Sequence, residues 1–136
     1  MPPFFDTNVL VYAFDEGEPE KRAVALDLIE EHLVGGNGVV SVQVLREFYS
    51  AVRREPQPLS DEDAAAAVRR LAGFSPISED SDMVLGAVRR TGEMSISFWD
   101  ALIVEAALKS GADRLFTEDL RHGQVVEGMR VENPFL

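Results

Sequence analysis

The chain has 136 residues, of which 46% are hydrophobic, and this predicts one folded domain, residues 1–136, with a sizeable core. It has no cysteine, which excludes disulfides, thiolate metal sites and a cysteine nucleophile. The net charge of −11 argues against a general nucleic-acid-binding protein, which usually has a basic face, and is compatible with a cation site or a basic protein partner.

No segment has the pattern of a signal peptide, and the apolar runs fall short of the roughly 20 residues that a membrane span needs. We therefore expect a cytoplasmic protein that does not cross a membrane. The arginines are partly paired, at 53–54, 69–70 and 89–90. We interpret each pair as a solvated helix face, with contact to a polyanion as the weaker alternative.

The first predicted element is a short buried strand that leads into Asp6, followed at once by a short helix over Val9–Phe14. Ligands of open α/β sheets bind outside the carboxyl ends of the strands, so Asp6 is a candidate site residue. The alternative is that Asp6 or Asn8 only caps the helix, since both residue types are favoured there.

Beyond residue 18, segments of helical periodicity alternate with short β-type runs. The predicted helices are Pro19–Val34, Val42–Arg54 with Ser41 as its cap, one that starts at Ser60, Asp80–Arg90 and Ser97–Ser110. The predicted strands are Gly38–Ser41, Phe74–Ile77, Asp113–Thr117 and Met129–Val131. This alternation, without linker or repeat, predicts an α/β fold around a mostly parallel sheet.

Four acids occupy related places in this pattern. Asp6 and Asp119 follow predicted strands, Glu47 lies on the helix after the second strand, and Asp100 lies in the first turn of an apolar helix. In a parallel sheet all four can converge at the carboxyl ends of the strands. Carboxylate oxygens are ligands for Mg²⁺, which keeps several waters and leaves places for a substrate phosphate.

Each acid also has a purely structural interpretation. Asp100 lies three residues after Ser97 and can be the acid of a capping box. Glu47 can be a solvated helix residue, and Asp119 can cap a following helix. Thr117 can be an ordinary strand residue or can orient Asp119. His32 falls among apolar residues, and we interpret it as a hydrogen-bonded, partly buried histidine rather than a metal ligand.

Four segments together resemble the signature segments of PIN-domain ribonucleases, above all the single-domain VapC-type toxins of toxin–antitoxin pairs. In chain order they are Phe5–Leu10, Arg46–Phe48, Trp99–Ile103 and Leu115–Leu120. The resemblance runs nearly end to end, and its first and last segments are specific in combination.

The resemblance implies a three-layer α/β/α fold and an endoribonuclease that depends on Mg²⁺ or Mn²⁺. Carried over by position, its acidic quartet is Asp6, Glu47, Asp100 and Asp119, and its supporting polar residues are Asn8 and Thr117. With Asp6 taken as a ligand, Asn8 becomes the better candidate for the helix cap. Glu105 departs from the small residue that is usual in the family, and it is about 140° around the helix from Asp100, so we expect it outside the site.

The resemblance also implies a mechanism and partners. Metal-activated water would hydrolyse the RNA phosphodiester. Asp6 and Asp100 would be the first ligands, and Glu47 and Asp119 would complete the shell or orient the water. The two histidines, His32 and His122, show no acid–base pairing, which argues against a metal-independent ribonuclease. The expected partners are the RNA substrate, a basic antitoxin protein and a second copy of the chain.

Two other functions remain open from the sequence. One is a Mg²⁺-dependent phosphoryl-transfer or receiver-like domain, which would need a lysine at a strand end, whereas Lys21 and Lys109 both lie on predicted helices. The other is a PIN fold that binds a partner without catalysis.

Overall fold

The computed structural model describes residues 2–136 and contains a four-stranded sheet in the order β1–β2–β4–β3. The strands are β1 (Pro3–Phe5), β2 (Arg114–Phe116), β3 (Val125–Val126) and β4 (Met129–Glu132). The first, second and fourth strands run parallel, and β3 is antiparallel to β4. The predicted mixed α/β class with a mostly parallel sheet is therefore confirmed.

Six α-helices accompany the sheet in the described residues, and one of them continues into a π-helical turn. They are α1 (Thr7–Tyr12), α2 (Pro19–Leu28), the π-helical turn (Ile29–Val34), α3 (Val42–Val52), α4 (Asp61–Ala72), α5 (Ser81–Met94) and α6 (Phe98–Lys109). Contacts group α1 with α2 and α3, α3 with α4, and α5 with α6. No helix among residues 2–136 is long and apolar enough to cross a membrane.

Three serines set the starts of the helices as predicted. Ser41, Ser60 and Ser97 each accept a hydrogen bond from the backbone N–H three residues further on. Such caps satisfy N–H groups that have no partner inside the helix. They also fix where α3 and α6 begin, and so place the residues of the first turns relative to the sheet.

Two predicted strands are reduced to single bridges. Val39 pairs with Phe4, and Ile77 pairs with Ser41, both in parallel, so these segments extend the sheet beyond β1 without forming full strands. The prediction of strands over Gly38–Ser41 and Phe74–Ile77 was too long. The physical reason for the first is that Ser41 is already the cap of α3, so the extended run ends there.

Two other boundaries differ from expectation. The helix from Pro19 does reach Val34, but its last turn is π-helical, with the N–H of Gly35 bonded to the carbonyl of Glu30 at 3.1 Å. Helix α5 runs past Gly92 to Met94, and ends at Ser95, which takes a left-handed conformation with φ 54°. A glycine in a helix is unfavourable but does not by itself end it.

The β3–β4 hairpin was missed from the sequence. Its two turn residues, Glu127 and Gly128, have φ of 49° and 87°. Positive φ at both positions is the geometry of a type I′ turn, whose twist suits an antiparallel pair. Glutamate is not a usual residue for the first position, so the local signal was weak.

The buried core joins the sheet to helices of both groups, and its largest fully buried side chains include Phe4, Phe5, Phe48 and Phe116. Phe5 pairs in register with Phe116 on the neighbouring strand. Because β1 and β2 are parallel, the residues that follow them, Asp6 and Thr117, emerge side by side at one edge of the sheet.

Candidate active site at the carboxyl ends of the strands

Asp6 and Thr117 are in direct contact. The backbone N–H of Asp6 donates to the carbonyl of Phe116 at 3.0 Å, which continues the β1–β2 ladder by one bond. The Thr117 hydroxyl donates to Asp6 Oδ2 at 2.7 Å. Both side chains are buried, with Asp6 4% exposed and Thr117 fully covered. Thr117 therefore holds one oxygen of Asp6 in a fixed position.

Asp6 is also the cap of α1, since its Oδ1 accepts a hydrogen bond from the N–H of Thr7 at 2.7 Å. The expectation that Asn8 would be the cap was wrong, because Asn8 already lies inside the helix. Its amide bridges to the segment after β2 instead: Nδ2 donates to Asp119 Oδ2 at 2.9 Å, and Oδ1 accepts from the N–H of Glu118 at 3.3 Å.

Three of the four predicted acids form a tight group. Asp6, Asp100 and Asp119 each offer a carboxylate oxygen, and these oxygens all lie within 4.8 Å of one another. They come from three separate segments of the chain. Asp6 is buried, Asp100 is half-buried and Asp119 is exposed. The N–H of Asp100 donates to Ser97 Oγ at 3.0 Å, which is one of the two bonds of a capping box, while its carboxylate joins the group. Asp119 caps no helix among residues 2–136.

Glu47 lies in the wall of the same cleft but outside this group of three. The Thr7 hydroxyl donates to its Oε1 at 2.9 Å, and Gln43 Nε2 donates to its Oε2 at 3.3 Å. Both carboxylate oxygens are thus held by neutral donors, so Glu47 is an ordered acid and not a freely solvated one.

The pKa values of Asp6 and Asp100 show the effect of burying acids next to one another. Burial raises the pKa of Asp6 to about 7, against the hydrogen bonds from Thr117 and Thr7, and the charges of Asp119 and Glu47 add to the rise. Burial also raises the pKa of Asp100, with the charges of Asp119 and then Glu47 acting in the same direction. The group is therefore costly to ionise fully unless a cation or protons neutralise it.

The donor set suits a divalent cation of the hard type. All three grouped ligand atoms are carboxylate oxygens, which Mg²⁺ and Mn²⁺ accept and which softer metals do not prefer. The half-buried Asp100 and exposed Asp119 face an open cleft, so a cation held here would keep positions for water and a substrate oxygen. The residues present thus fit the divalent cation that the sequence analysis predicted.

The cleft has a volume of about 630 Å³, and its lining combines the acids with two arginines and two aromatic residues, Tyr12 and Trp99. Arg46 pairs with Glu79 at 3.2 Å, whereas Arg54 forms no ion pair with any of residues 2–136. One member of the 53–54 pair is therefore available to a polyanion. The interpretation of all pairs as solvated faces was wrong for Arg90, which is 6% exposed.

Sequence reasoning missed Thr7 and Gln43, which hold Glu47. Gln43 lies four residues before Glu47 on one helix, and this spacing was a usable signal for a side-chain pair. It also missed the neutralisation of Glu118, the acid next to Asp119. Lys21 Nζ and the Tyr12 hydroxyl each lie 2.7 Å from a Glu118 carboxylate oxygen. The charge of Glu118 is therefore largely neutralised.

Two residues that were expected to lie outside the site do lie outside it. Glu105 pairs with Arg90, between α6 and α5, and takes no part in the cleft. His32 is 7% exposed, and its Nδ1 lies 3.3 Å from Asn37 Oδ1, as expected for a buried histidine with a polar partner.

The family model of the PIN domain matches residues 4–127, which contain all the residues of this site. The chain belongs to the PIN domain family. This PIN domain has the fold of Mycobacterium tuberculosis VapC20, a toxin described as cleaving the sarcin–ricin loop. The two structures align with a TM-score of 0.65 and 22% sequence identity, over 86% of this chain and 91% of that one. No protein of curated function matches the chain.

Proposed function

We propose that this PIN domain is a divalent-metal-dependent endoribonuclease and the toxin component of a type II toxin–antitoxin pair. The observation that carries the proposal is the group of three carboxylate oxygens within 4.8 Å of one another, open to a cleft. Membership of the PIN family and the fold shared with a toxin described as cleaving the sarcin–ricin loop support it.

In this proposal Asp6, Asp100 and Asp119 hold the cation, and Glu47 completes the site from the cleft wall. A bound Mg²⁺ or Mn²⁺ would supply a Lewis acid that activates water and stabilises charge on the departing oxygen. Thr117 and Asn8 act through the acids, because they fix Asp6 and Asp119 by hydrogen bonds. Glu47 keeps a free lone pair on each oxygen beyond those used by Thr7 and Gln43, and so can orient a water by accepting its proton in a hydrogen bond.

The experiment is cleavage of RNA with Mg²⁺ or Mn²⁺, with EDTA as a control, by the wild type and by Asp6→Ala and Asp100→Asn. Asp27→Asn, which changes an exposed acid of α2, is the matched control. We expect cleavage by the wild type and the control only, with products that carry 5′-phosphate and 3′-hydroxyl ends. Full activity in EDTA, or in both site variants, would refute the metal-dependent mechanism, and cyclic phosphate ends would indicate attack by the 2′-hydroxyl.

The antitoxin and the dimer are part of the same proposal. A net charge of −11 favours a basic protein partner by complementarity of charge. For a second copy, α5 offers an exposed apolar face formed by Val84, Leu85 and Val88, which are 37%, 67% and 58% exposed. A short basic protein from the neighbouring reading frame that copurifies and suppresses cleavage would support the toxin assignment, and a gene without such a neighbour would count against it.

Nothing in the structure favours the receiver-like alternative. That chemistry uses a lysine beside the acids, whereas Lys21 is paired with Glu118, and Lys109 with Asp80, both at 2.7 Å. The non-catalytic alternative is decided by the cleavage experiment above.

A further inference from the structure

Trp99 is the only tryptophan of the chain, and it is 60% exposed. It stands directly before Asp100 in the first turn of α6 and lines the same cleft as the acids. Tryptophan is highly buried on average, since its large apolar surface is costly to leave in water. An exposed indole beside a group of acids is therefore a feature that core packing does not explain.

The backbone that carries the indole is held in place. Gln43, which is 3% exposed, donates from Nε2 to the carbonyl of Trp99 at 3.1 Å and also to Glu47. The Phe98 ring meets the indole edge-on, with centroids 5.3 Å apart. The same buried amide thus links Trp99 to an acid of the site, while the residue stays largely exposed where it lines the cleft.

Because the protein is acidic, an uncharged contact would help it to bind RNA. An acidic protein with a net charge of −11 repels the RNA backbone, and within residues 2–136 only Arg46 and Arg54 bring positive charge to the lining of this cleft. Arg46 is already paired with Glu79. Stacking of a base on an aromatic ring does not depend on net charge, and it tolerates any base because every base has a π-face.

We propose that Trp99 is a substrate-binding residue of this site, whose indole stacks on a base next to the phosphate that is cleaved. The proposal rests on the proposed ribonuclease function. In an A-form duplex the bases are stacked on one another inside the helix, so no base face is free to meet the indole. Unpaired nucleotides expose their faces, and Arg54 at the same cleft can contact the adjoining phosphate.

The binding experiment uses the indole as its own probe, because the chain has a single tryptophan. The Asp6→Asn variant, which keeps the shape of the site, is titrated in Mg²⁺ with a single-stranded RNA oligonucleotide, and separately with that strand annealed to its complement. We expect the single strand to quench the emission of Trp99 and the duplex to leave it nearly unchanged.

Two substitutions separate stacking from apolar contact. In the same background, Trp99→Phe keeps an aromatic face and should retain most of the affinity for labelled single-stranded RNA, measured by anisotropy. Trp99→Leu keeps only apolar bulk and should lose roughly 5- to 100-fold, the range that alanine substitution of a stacking residue gives. With Asp6 intact, Trp99→Leu should raise KM for the single strand while kcat changes little.

The outcomes separate this inference from the proposed function. If RNA quenches Trp99 and Trp99→Leu lowers the affinity, but the wild type cleaves no RNA, the nuclease function is refuted and the stacking contact stands. Cleavage of single strand and duplex alike, with unchanged KM in Trp99→Leu, would overturn the stacking contact and keep the nuclease. Emission that responds to protein concentration but not to RNA would also overturn it, and would assign Trp99 to a contact between copies.

Discussion

The hydroxyl of Thr117 links two acids of the site, because it donates to Asp6 Oδ2 at 2.7 Å and accepts from the backbone N–H of Asp119 at 3.1 Å. A single buried oxygen thus sets the position of Asp6 and of the backbone that carries Asp119. Valine has nearly the same shape as threonine but neither donates nor accepts, so this link can be removed with little change in volume.

Thr117→Val should therefore lower both stability and cation affinity. It leaves a buried carboxylate oxygen and a backbone N–H without their partner, a change that costs about 2 kcal/mol of unfolding free energy. Chemical denaturation and Mn²⁺ titration measure the two effects, and Thr117→Ser, which restores the hydroxyl, is the control. If valine and serine bind Mn²⁺ equally well, the hydroxyl does not position the acids.

The stability of the metal-free protein should fall as pH rises from about 4 to 7. The pKa of Asp6 is about 7 in the folded protein against 3.8 for an ordinary aspartate, so the folded state binds the extra proton in this window. The proton on Asp6 stabilises the folded state fully below the pKa of the unfolded state. This stabilisation, at most about 4 kcal/mol of unfolding free energy, is lost as pH rises through the pKa of the folded state. The raised pKa of Asp100 acts in the same direction.

Urea denaturation across this pH range, in EDTA, measures the effect. Asp6→Asn should flatten the curve, because the group that titrates is gone. Saturating Mg²⁺ should restore stability at pH 7, since a ligand that binds only the folded state stabilises it. A metal-free wild type that becomes more stable from pH 4 to 7 would contradict the burial of an uncompensated Asp6.

Arg90 joins three elements, because its guanidinium binds Glu105 of α6 and Glu127 of the β3–β4 turn while the residue itself lies on α5. Arg90→Met should destabilise the protein by about 3 kcal/mol, since it leaves Glu105 largely buried without its cation. The double variant Arg90→Met/Glu105→Leu should recover part of the loss, because it removes the stranded charge as well.

The neighbouring arginine provides the control. Arg89 is exposed, and its one ion pair in the described part of the chain is with Glu93, at 3.7 Å. Arg89→Met should therefore change the unfolding free energy by less than about 0.5 kcal/mol. Thermal and urea denaturation of the four proteins give the comparison. A double variant no more stable than Arg90→Met would show that lost packing, and not the unpaired charge, determines the cost.

The exposed apolar face of α5 predicts a specific effect on self-association. Leu85→Glu places a charge in the centre of that face and should shift the proposed dimer toward monomer in sedimentation experiments. Val125→Glu, at a valine 65% exposed on β3, is the matched control and should leave the association unchanged. Equal sedimentation of wild type and Leu85→Glu would place the dimer contact elsewhere or exclude a dimer.

Much of the architecture could be predicted because its signals are local. Apolar runs marked β1, β2 and β4, and the serines at 41, 60 and 97 marked helix starts that the structure confirms. The β3–β4 turn escaped because Glu127 carries no strong turn preference. The π-helical turn escaped because a helix of either type has much the same apolar spacing over a single turn.

The site was only partly accessible from the sequence. Placement after strands suggested that Asp6 and Asp119 would approach, and the structure brings them together with Asp100. The bonds that arrange them join residues far apart in the chain, such as Asn8 with Asp119 and Lys21 with Glu118. Pairs of this kind follow from the packing of whole elements, and no short window of sequence contains both partners.

The contact between Asp6 and Thr117 spans 111 residues, and this has a consequence for the order of events during protein synthesis. The nascent chain exposes Asp6 early, but the strand that must lie beside it, Arg114–Phe116, leaves the ribosome late. Until then β1 lacks its parallel neighbour and the acids cannot meet. A ribosome-bound fragment that ends before residue 114 therefore lacks the assembled group of acids, which under the proposed function leaves it without nuclease activity.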